Sequence, residues 1–250
     1  MRASRALQAV GLLFAWASLA RVQRVEGVPH APAALQWLGP LTHPVAAAAV
    51  TVVFALLLGW FVVRGGQATM VALAALLAAG AAVQGWQWPG DEGANGAVML
   101  PGAALVAMAV ARGMVPPERR DRAGIDAAAG LVAACYLLAG VAKLGGSGWA
   151  WTSQANLGVH ILAQGYGGLG ELEPLRTWVA GSPVVCRALG VGTLVIELGA
   201  VAFLWPGLRA VWAIGALFLH VGISLLMGLH HYDWLFTVLA VAVGSRSCRR

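Results

Sequence analysis

A series of long apolar runs, nearly free of charge and separated by polar breaks, the longest of them the less apolar stretch Leu144 to Pro183, constrains this chain more than any other feature. Runs lie at about 6–23, 45–63, 68–86, 97–112, 125–143, 184–205, 209–227 and 232–244. A helix needs about 17–25 apolar residues to cross the hydrocarbon core of a bilayer. The pattern therefore predicts an all-α fold, a transmembrane bundle of about eight helices forming one domain over 1–250. The last run is only about 13 residues long, short enough to tilt little or to lie partly in the interface. Composition points the same way. Of the residues, 60% are hydrophobic and 10% charged, against about 25% charged in soluble domains. With a mean hydropathy of +0.77, a water-soluble fold has nowhere to hide so much apolar surface.

The net charge of +6 does not indicate nucleic acid, which needs a basic patch on a soluble face. In a membrane chain, arginines orient the helices, and cytoplasmic loops hold more of them. A cytoplasmic N-terminus places eleven arginines inside (Arg2, Arg5, Arg64, Arg112, Arg119, Arg120, Arg122, Arg209, Arg246, Arg249, Arg250). Four lie outside (Arg21, Arg24, Arg176, Arg187). The expected topology is N-in and C-in, in a multi-pass protein of a bacterial inner (plasma) membrane. Met1 to Ala20 also resembles a signal peptide; a retained first helix is the expectation, because an even number of spans suits the charge distribution. No heptads, low-complexity tract or internal repeat is present. Cys135, Cys186 and Cys248 show neither disulfide nor metal spacing. Glycines such as Gly190, Gly192 and Gly199 recur at helical spacing and read as close-packing positions.

The polar residues inside the runs carry whatever chemistry the chain has. Fifteen of the 16 basic residues are arginine, so Lys143, at the outer end of the fifth run, stands out. Lysine, unlike arginine, can lose its proton when desolvated, and a neutral amine there is a candidate base; an interfacial anchor is the plainer reading. Glu197 sits midway along the sixth run, where a carboxylate must face the bundle interior and find a partner. His220 lies in the seventh. The turn at Pro206-Gly207 makes the sixth and seventh runs antiparallel neighbours, so a hydrogen bond between Glu197 and His220 is expected. His160, His230 and His231 lack any zinc-type spacing, so no metal site is expected. Trp149, Trp151, Trp178 and Trp234 fall at the outer boundary as an aromatic belt, from which some of them line a pocket.

The segment Tyr136-Leu137-Leu138-Ala139-Gly140-Val141-Ala142-Lys143-Leu144, followed by Trp149, resembles the Tyr-x-x-Ala-Gly-x-x-Lys-Leu…Trp element of the HTTM family, which includes the vitamin K-dependent gamma-carboxylases. Glu197 within 193–200, Arg209 after the turn, and His220 followed by Met227-Gly228 resemble that family's later elements. The likeness spans roughly 125–240; here the lysine-to-tryptophan spacing is one residue longer. In the carboxylases this lysine deprotonates a reduced naphthoquinone whose reaction with O2 drives peptide carboxylation. The resemblance implies Lys143 as catalytic base, a supporting pocket of Glu197, His220, Tyr136, Trp149 and His160, and a reduced quinone as cofactor. It further implies an outward-facing site and a peptide or lipid-soluble substrate. The large soluble domain with which carboxylases hold peptides has no counterpart in these residues, so the substrate stays open. An alternative reading is a non-catalytic subunit resembling DoxX proteins, partnered with another membrane or secreted protein in a quinone-linked complex. A transporter has less to support it, since no paired broken helices occur.

Overall fold

The computed structural model describes residues 2–22, 43–87, 92–165, 172–229 and 231–247, together with Gln36. His30, His230, Arg24, Cys248, Arg249 and Arg250 lie outside the described residues, so the readings placed on them are neither met nor corrected. The described residues are all-α, with ten α-helices: α1 (Arg2–Val22), α2 (Pro44–Val63), α3 (Gln67–Gln87), α4 (Glu92–Gly113), α5 (Arg120–Ser147), α6 (Val159–Gly165), α7 (Glu173–Gly181), α8 (Pro183–Leu198), α9 (Arg209–Met227) and α10 (Tyr232–Ser247). Each of the eight apolar runs coincides with a helix among the described residues. Between α5 and α8 the described residues form a 3-10 turn, a π turn and the short helices α6 and α7.

Four stretches are long and apolar enough to cross a membrane: α2, α8 with its extension to Leu204, α9, and 117–152, which contains α5. This is the architecture of a multi-pass membrane protein. In α2 only 17% of the apolar window is buried by the rest of the chain. Phe54, Leu58 and Phe61 pack inward, while Val45, Val52, Leu56, Trp60 and Val63 stand exposed. An apolar face this continuous suits a lipid solvent, since soluble monomers rarely show one.

Cross-helix bonds fix the order of the ends. At one end, Ser4 on α1 donates to the Ala240 carbonyl of α10, and Arg5 to the Phe61 and Val63 carbonyls of α2. At that end too, Gln67 on α3 donates to the Ala109 carbonyl of α4, and Arg112 pairs with Asp121 on α5. Arg209 at the start of α9 is buried. It donates Nε to the Phe203 carbonyl at 2.9 Å and Nη2 to Asp126 on α5 at 2.8 Å. The eight long helices thus run alternately up and down, and Lys143 lies at the opposite end with α6, α7 and the α9–α10 turn.

Two expectations change. The final run, read as short enough to tilt little or to lie partly in the interface, forms a helix of 16 residues, α10, that packs against α1, α4, α5 and α9. Its Leu235, Thr237, Val238, Ala240 and Val241 are buried, and its most extensive contact is with α1. Its buried residues are distributed around the helix instead of along one stripe. Secondly, α8 does not run as an α-helix to the Pro206 turn; Gly199–Leu204 is 3-10. A 3-10 segment rises about 2.0 Å per residue and turns about 120° instead of 100°. Over six residues this displaces α8 by about 3 Å and rotates it by about 120° relative to a regular helix.

Candidate functional site

Helix α5 carries Tyr136, Gly140 and Lys143 at spacings that place them along one stripe. A Cβ on Gly140 would come within 2.9 Å of Leu198 Cδ2 and 3.0 Å of Glu197 Cβ. Its absence lets α5 and α8 approach one another there, one turn below Lys143. Lys143 Nζ then lies 2.6 Å from Glu197 Oε1. The Glu197 side chain is 7% exposed and that of Lys143 23%, so the carboxylate is enclosed and the amine reaches the rim. Trp151 closes the site from the 3-10 turn after α5: Lys143 Nζ stands 5.3 Å from its ring centroid, in cation–π range. The Trp151 ring also meets His160 on α6, with centroids 5.3 Å apart.

Below this pair lies a second one. The Tyr136 hydroxyl hydrogen-bonds with His220 Nε2, joining α5 to α9. Edge contacts with Trp212 on α9 and Trp234 on α10 hold the Tyr136 ring. His231 lies 6.3 Å from His220, centroid to centroid. The Trp212 indole N–H donates to the Ile196 carbonyl, next to Glu197, and so ties α9 to α8 where the 3-10 stretch begins.

The structure brings together Lys143, Glu197, Tyr136, His220 and, through Trp151, His160. Three details differ from the sequence reading. Glu197 and His220 do not bond to each other: Glu197 turns to Lys143, and His220 to Tyr136. The rotation imposed by the 3-10 stretch accounts for this, because a regular α8 would present Glu197 in another direction. Trp149 is 73% exposed, and the tryptophan over Lys143 is Trp151. The turn after Ser147 is 3-10, so residues two apart there point to different sides. Finally, Arg176, counted as an outer-loop arginine, is 1% exposed on α7 and donates Nε to the Leu225 carbonyl near the end of α9.

Several polar atoms at the site are buried without a hydrogen-bond partner among the described residues: Glu197 Oε2, His220 Nδ1, Trp151 Nε1 and, at the start of α10, Asp233 Oδ2. Asp233, 3% exposed, went unremarked in the sequence; its place just after His231 in a polar turn gave no sign of burial. Among the described residues, no group of three His, Cys, Asp or Glu side chains is arranged to hold a metal ion. An apolar groove of about 200 Å³ runs between α8 and α9 beneath α6, and Ile196 and Leu219 line it. These are the immediate chain neighbours of Glu197 and His220, which themselves face away from the groove.

No family model, curated protein or solved structure matches the chain. Its functional reading therefore rests on this geometry and on the residues that form it.

Proposed function

We propose that this chain is a multi-pass protein of a bacterial inner membrane. In this reading it has about eight spans, cytoplasmic N- and C-termini, an HTTM-like fold, and an outward-facing site in which Lys143 and Glu197 together accept a proton. The observation that carries this reading is the 2.6 Å contact between Lys143 Nζ and Glu197 Oε1, with the amine at the rim and the carboxylate enclosed.

In this reading a proton passes from Nζ to Oε1 along the 2.6 Å contact, and the amine nitrogen turns from that hydrogen bond to take one proton from an acidic O–H presented at the rim. Afterwards the Lys143 ammonium stands beside the oxyanion it has created, and Glu197 is a neutral acid behind it. In a site of low dielectric, that ammonium stabilises the oxyanion far more than water would. Arginine cannot substitute, because it does not release its proton.

A reduced naphthoquinone is the O–H donor that the family resemblance implies, and its hydroxyl would meet Lys143 Nζ at the rim of the site. Once bound, such a group supplies an acidic hydroxyl and a route to O2 chemistry. The residues of this chain supply the proton acceptor and the orientation.

The test is oxygen uptake by the purified protein with a soluble reduced naphthoquinone. Wild type should consume oxygen; Lys143→Arg and Lys143→Met should reduce the rate at least about a hundredfold, the usual contribution of a positioned general base, while membrane abundance of Lys143→Arg, which keeps the charge beside Glu197, stays unchanged. Full activity in Lys143→Arg would refute the base. A second reading, a DoxX-like non-catalytic subunit, draws on the groove's position off the Lys143–Glu197 pair. It predicts no oxygen uptake in wild type and a stable partner that co-purifies in mild detergent.

A further inference from the structure

We propose that the opposite end of the bundle holds a binding site for a phosphate-bearing anion. Three arginines from different parts of the chain, Arg5 on α1, Arg64 after α2 and Arg112 on α4, border one polar cavity of about 90 Å³ together with Ser4, Gly65 and Asp121. The only carboxylate among the lining residues is Asp121, held 2.9 Å from Arg112 Nη1. The cavity therefore carries a local charge of +2.

Protein partners leave much of this donor capacity unused. Arg5 directs Nη1 to the Phe61 and Val63 carbonyls at 3.4 and 3.3 Å; its Nε and Nη2 have no protein partner among the described residues. Arg64 lies over the Trp60 ring, 5.7 Å from its centroid, and forms no ion pair among the described residues. Gly65 has φ +64° and the Arg5 side chain lies directly across it. The turn thus brings Arg5 and Arg64 to the same cavity and starts α3, whose first N–H groups also favour an anion. Planar guanidinium forks match the paired oxygens of a phosphate group. Asp121 occupies the position of an internal counter-anion. This inference is independent of the role given to Lys143.

A phosphate group can come from an anionic phospholipid or from solution, and the two are separable. The full chain, purified in a neutral detergent, is titrated with dioleoyl phosphatidylglycerol, dioleoyl phosphatidylcholine or inorganic phosphate. Thermal unfolding and intact-protein mass spectrometry report binding. We expect phosphatidylglycerol to be retained and to raise the midpoint, with Arg64→Gln binding about tenfold more weakly and Asp121→Asn more tightly. The same pattern with inorganic phosphate supports the site and assigns a soluble ligand. Equal retention of both lipids, no stabilisation by any of the three, or unchanged binding in Arg64→Gln overturns it. The Arg64 side chain makes no hydrogen bond or ion pair among the described residues and lies over the exposed Trp60 ring, so its replacement leaves the fold intact.

Discussion

At the scale of single residues, the site depends on an enclosed carboxylate that has one partner. Removing Lys143 alone leaves Glu197 uncompensated, and removing Glu197 leaves an ammonium at a partly enclosed rim. Breaking a fully buried pair costs about 3–5 kcal/mol; with Lys143 partly exposed, about 1–3 kcal/mol is expected for each single variant. The double variant Lys143→Met/Glu197→Leu should regain most of that loss, which a double-mutant cycle on thermal unfolding in detergent will measure. Gly140→Val should cost about 1–3 kcal/mol by overpacking against Leu198 and Glu197, and it should abolish any activity assigned to Lys143. Gly145→Ala is the matched control, because a Cβ there has nothing within 4 Å. Lys143 and Glu197 were legible in the sequence because charge inside an apolar run has to be satisfied. Trp151 was not, since only the local 3-10 geometry decides which of two nearby tryptophans turns inward.

Among the elements, the extension of α8 matters most. Its composition, Gly-Ala-Val-Ala-Phe-Leu, is as compatible with α-helix as with 3-10, so the change of pitch could not be read from the chain. What holds it is tertiary: Arg209 donates to the Phe203 and Leu204 carbonyls at the end of the 3-10 segment and to Asp126 on α5. Arg209→Ala removes the donors to those carbonyls while Asp126, 43% exposed, keeps Arg122, and it should lower stability by about 1–3 kcal/mol. Arg209→Lys should recover less than half, because an ammonium lacks the fork that reaches several acceptors at once. The measurement is again thermal unfolding, paired with oxygen uptake, since a relaxed 3-10 segment would rotate Glu197 away from Lys143. Helix existence itself was legible almost throughout, because eight apolar runs leave few other solutions. The central place of α10 was hidden: its buried residues are distributed around the helix and give it no polar side to interpret.

For the whole molecule, alternation of the eight long helices puts Lys143 and the arginine-lined cavity at opposite ends. In the proposed orientation, a reporter fused after Ser147 should read as outside and one fused after Met114 as inside; the reverse pattern would invert the reading of both sites. The up-and-down order followed from counting eight runs in sequence, whereas the pairing of α1 with α10 did not, because nothing local links residues 236 positions apart, as Ser4 and Ala240 are. That pairing bears on biosynthesis. At about 5–20 residues per second, roughly 10–50 s separate the emergence of the two contacts from the ribosome. During that interval Ser4, buried in the finished bundle, lacks the carbonyl that accepts its hydroxyl. The insertion machinery, or a transient neighbour among the earlier helices, must shelter the first helix until the last one arrives.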